Sequence, residues 1–421
     1  MCEPNGLWNR NFLLFWQGQA VSLVGSSLST VAVALWIVEA TGSAALLGGV
    51  MMAGTLAGLL VTPVAGALAD RYPRTRIIVW CDAAQGVLAL ALAGAVWAFP
   101  EVPSLALVAL FLFHATGMGL SALFAAAARA VVPDLVPPGR VASANTATVA
   151  LVQTAGLVGK GVGGTAYRLL GAPVLLALDG ITYLISAISE TFIRAPRAPA
   201  RPSGGWSETA RSLARETKEG FRYVWGHPGL RAAVLVTACI AFCLEPLVVL
   251  LPFLVKDARF LGVPADWYGY LLAGYGAATL AGYWLAGRVD RGSPPGGGLL
   301  AGGAIAVAGL GFVGLGLARR PGAALGWIMA SGLALGFYNN CLLSRVQIKV
   351  PPELRARALT AFQALATGLV PVGIGLAGAV AELPGRRVDL VFEVAGLLVL
   401  LAGLTAGLHP GYRGFLSTRS P

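Results

Sequence analysis

Charge is what this sequence has least of. Of its 421 residues only 12% are Asp, Glu, Lys or Arg, while 57% are hydrophobic. A water-soluble domain usually carries about 25% charged residues, so this chain cannot clothe a soluble globule. Histidine is scarcer still, at three residues, and the five cysteines are an odd number without CxxC spacing. Those shortages argue against a metal centre and a disulfide framework; Cys81, Cys239, Cys243 and Cys341 read as small apolar fillers in or beside apolar runs. A G-x-x-x-x-G-K-[ST] loop is missing, which excludes ATP hydrolysis within this chain as a source of power. His114, His227 and His409 are too few and too scattered to build a nucleophile–base constellation, so an enzyme is not expected and no cofactor is called for. The net charge of +11 does not point to nucleic acid, because the basic residues sit in short clusters between apolar runs. Met1 to Asn11 holds one Arg and no small-residue cleavage site, so no cleaved signal peptide is expected.

What is present in abundance is apolar sequence. A hydrocarbon core about 30 Å thick needs roughly 20 apolar residues per helical span. Such spans fall near 13–39, 44–69, 77–99, 103–128, 141–168, 170–193, 231–256, 267–287, 298–318, 322–345, 357–381 and 388–408. The 56 glycines suit close helix approach in a membrane. The expected fold is therefore an all-α integral membrane protein with 12 transmembrane helices in two pseudo-symmetric six-helix bundles. The one long polar break, 194–230, starts Pro/Arg-rich and ends in a charged stretch carrying Leu213, Phe221, Tyr223 and Trp225, which predicts a short amphipathic helix on the membrane surface. It divides the chain into an N-terminal bundle (1–193), a linker (194–230) and a C-terminal bundle (231–421). Alternate loops hold 22 and 7 of the 30 Lys and Arg residues, Lys160 lying inside a span. The positive-inside rule then places both termini and the linker in the cytoplasm, in a bacterial inner membrane.

The two halves echo each other at an offset of 220 residues. Gly49, Ala53 and Gly54 align with Gly269, Ala273 and Gly274, and Asp70-Arg71 with Asp290-Arg291. With a small shift, Arg129 and Pro137-Pro138 match Arg345 and Pro351-Pro352. Parallel six-helix repeats about an axis along the membrane normal are a transporter architecture, with substrate bound near the midplane.

The stretch Gly66-Ala-Leu-Ala-Asp70-Arg71-Tyr-Pro-Arg74-Thr-Arg76 resembles the G-x-x-x-D-R-x-G-R-[KR] signature of the major facilitator superfamily, with Pro73 in place of the second glycine. Arg129 to Pro138, Leu178 to Ser186, Glu219 to Tyr223 and Gln347 to Arg357 resemble its branch of bacterial macrolide-efflux and enterobactin-export proteins. The resemblance implies a rocker-type carrier with a central cavity lined mainly by spans 1, 4, 7 and 10. It also implies a cytoplasmic latch of Gly66, Asp70, Arg71, Arg74 and Arg129; Asp82, one to two turns into the third span, is expected from its position to join that charge cluster. The second copy would use Asp290, Arg291 and Arg345. The alternative is that these charges only set topology and cap helix ends.

Ionisable groups inside the hydrocarbon cost at least about 2.5–3.5 kcal/mol each, so each asks for a reason. Glu245, mid-way along the seventh span and followed by Pro246, reads as the proton-coupling carboxylate, since burial favours the neutral form of a carboxyl; a neutral, hydrogen-bonded Glu is the other reading. Lys160 stands in Gly159-Lys160-Gly161-Val-Gly163-Gly164, which resembles an antiporter signature with Lys replacing its proline. Thr146, Gln153 and Lys160 recur at sevens along one helix face. The sixth span carries its own stripe of Asp179, Thr182, Tyr183, Ser186 and Glu190. Equal depth makes a Lys160–Asp179 ion pair one expectation, and a Lys160 contact to an anionic substrate the other. His114 titrates near neutral pH and joins Glu245 and Asp179 as a coupling candidate. Glu39 is expected to be hydrated at an outer end.

For substrate, the candidates are Lys160, Gln153, Ser26, Trp36, Tyr275, Asn339, Asn340 and Gln363. That lining suits an amphipathic organic molecule better than a bare ion. The sequence therefore predicts a monomeric, proton-coupled exporter of amphipathic organic compounds such as drugs or siderophore-like metabolites, working by alternating access in the lipid bilayer. A lipid or lysolipid carrier is the alternative, and an uptake symporter a further one.

Overall fold

The computed structural model describes residues 6–98, 103–194, 206–289, 297–383 and 387–416, and among them every regular element is helical. Contacts divide the chain into two compact units, Met1–Ser43 with Val50–Gly205, and Ala44–Gly49 with Trp206–Pro421. Helices α1 (Arg10–Thr41), α2 (Ala44–Arg71), α3 (Arg74–Ala98), α4 (Pro103–Leu135) and α5 (Val141–Thr191) come first. They are followed by α6 (Trp206–Gly226), α7 (Pro228–Lys256), α8 (Asp266–Val289), α9 (Gly297–Leu317) and α10 (Pro321–Lys349). The chain then continues through α11 (Pro352–Thr367), α12 (Val370–Ala381), α13 (Val388–Leu408) and α14 (Pro410–Leu416).

Ten helical stretches among the described residues are long and apolar enough to cross a membrane. One of them contains two spans. α5 runs 51 residues, but Gly171 inside it sits at φ 75° and ψ 169°, a left-handed φ that only glycine adopts cheaply. Pro173 follows and fixes the start of the second leg. The remaining span is α8, whose Trp267, Tyr268, Tyr270, Tyr275, Tyr283 and Trp284 lower its hydropathy below that of its neighbours. Twelve spans are thus accounted for, the eleventh being α11 and α12, which are separated at Gly368–Leu369.

Helix ends follow local chemistry. Asn9 caps α1, its side-chain oxygen accepting from the Asn11 and Phe12 backbone N–H groups at 3.0 and 3.1 Å, which satisfies two donors the helix leaves open. Gly42, at φ 60°, closes the other end by donating to Val38 O.

In the first unit α1 lies against both legs of α5, and α3 packs on α5 and α4. In the second, α9 packs on α13 and α10, and α8 on α10. Lipid gives helices no hydrophobic reason to associate, so close van der Waals packing must do it. A Cβ on Gly309 would run into the backbone of Gly396 and Leu400, and one on Gly403 into Ala306. The linker helix α6 groups with the second unit, held there by Arg357 Nη1 and Glu219 Oε2 at 2.7 Å. Gly220 also lies so close to the backbone of Arg357 that a side chain would not fit.

Candidate transport site

A polar seam runs between α1 and the second leg of α5. Gln19, Ser22, Ser26 and Ser29 recur at helical spacing on α1, as do Asp179, Tyr183, Ser186 and Glu190 on α5. The glycines of α1 let the two faces close. A Cβ on Gly18 would sit 2.9 Å from Ser186 Oγ, and one on Gly25 would strike the Thr182 side chain. Gln19 Nε2 donates to Glu190 Oε1 at 3.2 Å, Ser26 lies beside the Tyr183 hydroxyl, and Ser29 beside the Asp179 carboxyl. Asp179 and Glu190 are 2% and 1% exposed.

The deeper end of this seam opens on a cavity of about 200 Å³ within the first unit. Ser26, Ser29, Gln85, His114, Asp179 and Tyr183 are its polar wall. Ser121 Oγ donates to Gln85 Oε1 at 2.8 Å and fixes that amide. His114 reaches the cavity because Gly54 of α2 leaves room for its imidazole. The repeat partner of Gly54, Gly274, likewise makes room for Leu325 and Met329 of α10.

The second unit holds a larger cavity, about 370 Å³, formed by α7, α8, α10 and α11. Glu245, Tyr275, Asn339 and Gln363 all line it, joined by Tyr283, Tyr338, Thr237 and Thr367. Tyr338 is fully buried, with its hydroxyl 2.8 Å from that of Thr237. Pro246 follows Glu245 inside α7. Most of the wall is Leu, Ile, Val, Ala and Phe. An apolar wall with a few convergent polar groups is the usual form of an organic-ligand site.

Other expected site residues lie elsewhere. Lys160 and Gln153 are exposed on the first leg of α5, on the same face as Thr146. Asp179 is buried, and no ion pair joins it to Lys160. The reason is rotation. Ala155 is buried on the α5 face that meets α1, where Gly159 packs on Val24 and Ser27 and Gly163 on Val31; Lys160, one residue round, is turned off that face. Trp36 is half-buried on α1 and lines neither cavity. Asn340 also lies outside them, donating instead to Tyr283 O at 2.9 Å and tying α10 to α8. Glu39 is exposed at the end of α1, where it also accepts the Tyr167 hydroxyl.

At the loop end, Arg74 Nη1 pairs with Asp134 Oδ2 at 2.7 Å and donates to Ala130 O at 2.9 Å, binding the start of α3 to the end of α4. Gly66, Asp70 and Arg129 are exposed and Arg71 is half-buried. Arg345 is buried in α10. Asp290 and Arg291 lie outside the described residues. Asp82 does not join this cluster. It is 1% exposed, two turns into α3, and turned toward Ser186 and Glu190 of α5.

Residues 15–373 match the profile of the family described as Major Facilitator Superfamily. The chain belongs to the major facilitator superfamily. It is thus a multi-pass membrane transporter rather than an enzyme. Among superfamily members it is similar to the macrolide efflux protein A of Streptococcus pyogenes, 25% identical over 404 residues that cover 94% of this chain and 95% of that one. It is also similar to the multidrug efflux pump Tap of Mycobacterium tuberculosis, 24% identical over 408 residues, covering 93% and 92%. Of solved superfamily folds, an inward-facing bacterial homologue of the human lysosomal transporter Spinster superposes with a TM-score of 0.74 at 16% identity, over 97% of this chain and 98% of that one. A bacterial homologue of the iron transporter ferroportin gives 0.70 at 15% identity, over 95% and 99%.

Several polar residues of this superfamily member escaped the sequence reading of the site. Tyr283 completes the aromatic wall that Tyr275 and Tyr338 form around Glu245, Gln85 and Ser121 complete the polar wall near His114, and Asp134 is the partner of Arg74. Asp134 stood in a recognised motif, but nothing in the motif names its partner.

Proposed function

We propose that this transporter is a proton-coupled exporter of amphipathic organic compounds, drug-like or siderophore-like, that works by alternating access in the bacterial inner membrane. The observation that supports it best is the second unit's cavity, where one carboxylate, Glu245, stands among three tyrosines, two amide side chains and an apolar wall. Such a lining offers stacking surface and a few hydrogen bonds to a bulky cargo, and one site for a proton or a cationic group. The naming of related chains as macrolide and multidrug efflux proteins agrees with the direction and the class. In this reading Glu245 couples cargo to proton, while Asp179 and His114 serve the first unit's cavity. Asp70, Arg71, Arg74, Arg129 and Arg345 pair when the cytoplasmic side shuts and hydrate when it opens. Both termini are cytoplasmic by the distribution of Lys and Arg, and the working unit is a monomer.

The test is efflux of a macrolide from proteoliposomes with and without an imposed pH gradient. Gradient-dependent flux that falls at least about tenfold in Glu245→Gln, with the protein still folded, is the expected result. Undiminished flux in that variant removes Glu245 from the mechanism, and flux indifferent to the gradient removes the proton.

One observation favours a lipid cargo instead. Lys160 is exposed on α5 and makes no hydrogen bond or ion pair among the described residues, which suits contact with a phosphate headgroup. Saturable transfer of a lysophospholipid that fails in Lys160→Ala, with no macrolide flux, would replace the drug reading.

A further inference from the structure

Two buried carboxyl groups lie outside both cavities and belong to neither cargo site. Asp82 of α3 and Glu190 near the end of α5 are each 1% exposed and flank the Ser186 side chain, which is fully buried. Gln19 of α1 satisfies one oxygen of Glu190. Asp82 Oδ2, Glu190 Oε2 and Ser186 Oγ form no hydrogen bond of good geometry, although the Ser186 hydroxyl lies beside both carboxyls. Buried polar atoms are nearly always paired, and a single Ser186 proton cannot serve both carboxyls, so this spot has room for one more proton.

The surroundings point the same way. No Lys, Arg or His forms an ion pair with either acid among the described residues. The titratable groups nearby are Cys81 on α3 and Tyr183 and Asp179 on α5, with His114 of α4 on the adjoining cavity. From α1 the polar groups are the neutral Gln19 and Ser22. Two like charges with no cation beside them, in a dry site, are relieved by a proton held between them. The site is also connected. Glu190, Ser186, Tyr183 and Asp179 follow one face of α5 at steps of four, three and four residues, so the line climbs about 16 Å at 1.5 Å per residue. Its upper members, Tyr183 and Asp179, line the first unit's cavity.

We propose that Asp82, Ser186 and Glu190 form a proton-binding site in the first unit, which loads one proton between the two carboxyls and exchanges it along the α5 seam with Asp179. Loading makes one O–H bond and removes one negative charge, and it consumes nothing else. The proposal rests on the proton-coupled reading above, yet its test measures protonation and not flux.

Infrared difference spectra of the protein in sodium-free liposomes, stepped across neutral pH, report protonated carboxyls through their C=O stretch. The expected result is a titrating component that disappears in Asp82→Asn and equally in Glu190→Gln, because the two acids share it, and that persists in Glu245→Gln. Should either amide variant fail to fold, Ser186→Ala keeps both acids and is expected to shift the same component. A component that survives both amide substitutions, or one that Ser186→Ala leaves unmoved, overturns the proposal. So does its replacement on adding sodium chloride at constant pH, which would make this a metal-cation site. Loss of macrolide export in Glu245→Gln while this component persists supports the two statements separately. A wild-type protein that exports yet shows no such component sinks only this one.

Discussion

Gln19 Nε2 donates to Glu190 Oε1 at 3.2 Å across the α1–α5 interface, and both side chains are buried. The bond joins residues 171 positions apart in sequence and is the rung of the polar seam farthest from the first unit's cavity. Replacing Gln19 with Leu strands a buried acceptor, which costs about 1–3 kcal/mol where water cannot enter. The expected outcome is a lowered unfolding midpoint for the purified protein in detergent, partly restored in the double variant Gln19→Leu/Glu190→Leu, which removes both polar partners. A Gln19→Leu protein as stable as wild type would mean that this rung contributes nothing.

Lys160 and Asp179 lie at similar depth on the two legs of α5, one exposed and the other buried. Their substitutions are therefore expected to act independently. Lys160→Ala should alter stability by less than about 0.5 kcal/mol, as exposed changes usually do, and its effect should add to that of Asp179→Asn within about 0.5 kcal/mol. Thermal or denaturant unfolding of the two single variants and the double one checks this. A coupling well above that limit would restore the ion pair that residue spacing suggested.

That pair shows what a sequence can and cannot carry for this fold. Span positions and depth are one-dimensional properties, so the apolar runs, the break before Trp206 and the 220-residue repeat are readable directly. Rotation of a helix about its axis is not. It is set by which small residues its neighbours offer, here Gly159 and Gly163 facing α1, and it turned Lys160 outward. Asp82 illustrates the same gap. Its place two turns into α3 matched the loop charges in height, but its side chain meets the end of α5. Glu245, Tyr275, Asn339 and Gln363 line one cavity, and each sits near the middle of a different span, where polar groups of one bundle tend to converge away from lipid.

Glycine packing gives a sharper stability test. Gly309 lies in α9 where a Cβ would overlap the backbone of Gly396 and Leu400 on α13, whereas a Cβ on Gly303 of the same helix would meet nothing within 4 Å. Gly309→Ala must push two helices apart and is expected to cost about 1–3 kcal/mol, as overpacking does. Gly303→Ala should be neutral or slightly stabilising, since alanine favours helix by about 1 kcal/mol over glycine. Unfolding midpoints in the same detergent compare the two. Equal effects would mean that α9 and α13 do not approach as closely as described.

Asn339 and Asn340 are neighbours in sequence with opposite environments. Asn339 is exposed on the wall of the second unit's cavity, while Asn340 donates to Tyr283 O at 2.9 Å. Asn339→Ala takes one hydrogen-bonding group from the proposed cargo site and leaves helix contacts alone. The expected result is a KM for macrolide efflux raised several-fold, consistent with the loss of a hydrogen bond of about 0.5–1.5 kcal/mol, with unfolding unchanged. Asn340→Ala removes the tie between α10 and α8. It should lower the unfolding midpoint by the equivalent of about 1 kcal/mol and leave KM of the folded protein as it was. Flux kinetics and unfolding measured on both variants separate the two roles. A raised KM in Asn340→Ala alone would place the cargo against the other face of α10, and the cavity around Glu245 would then no longer be the binding site.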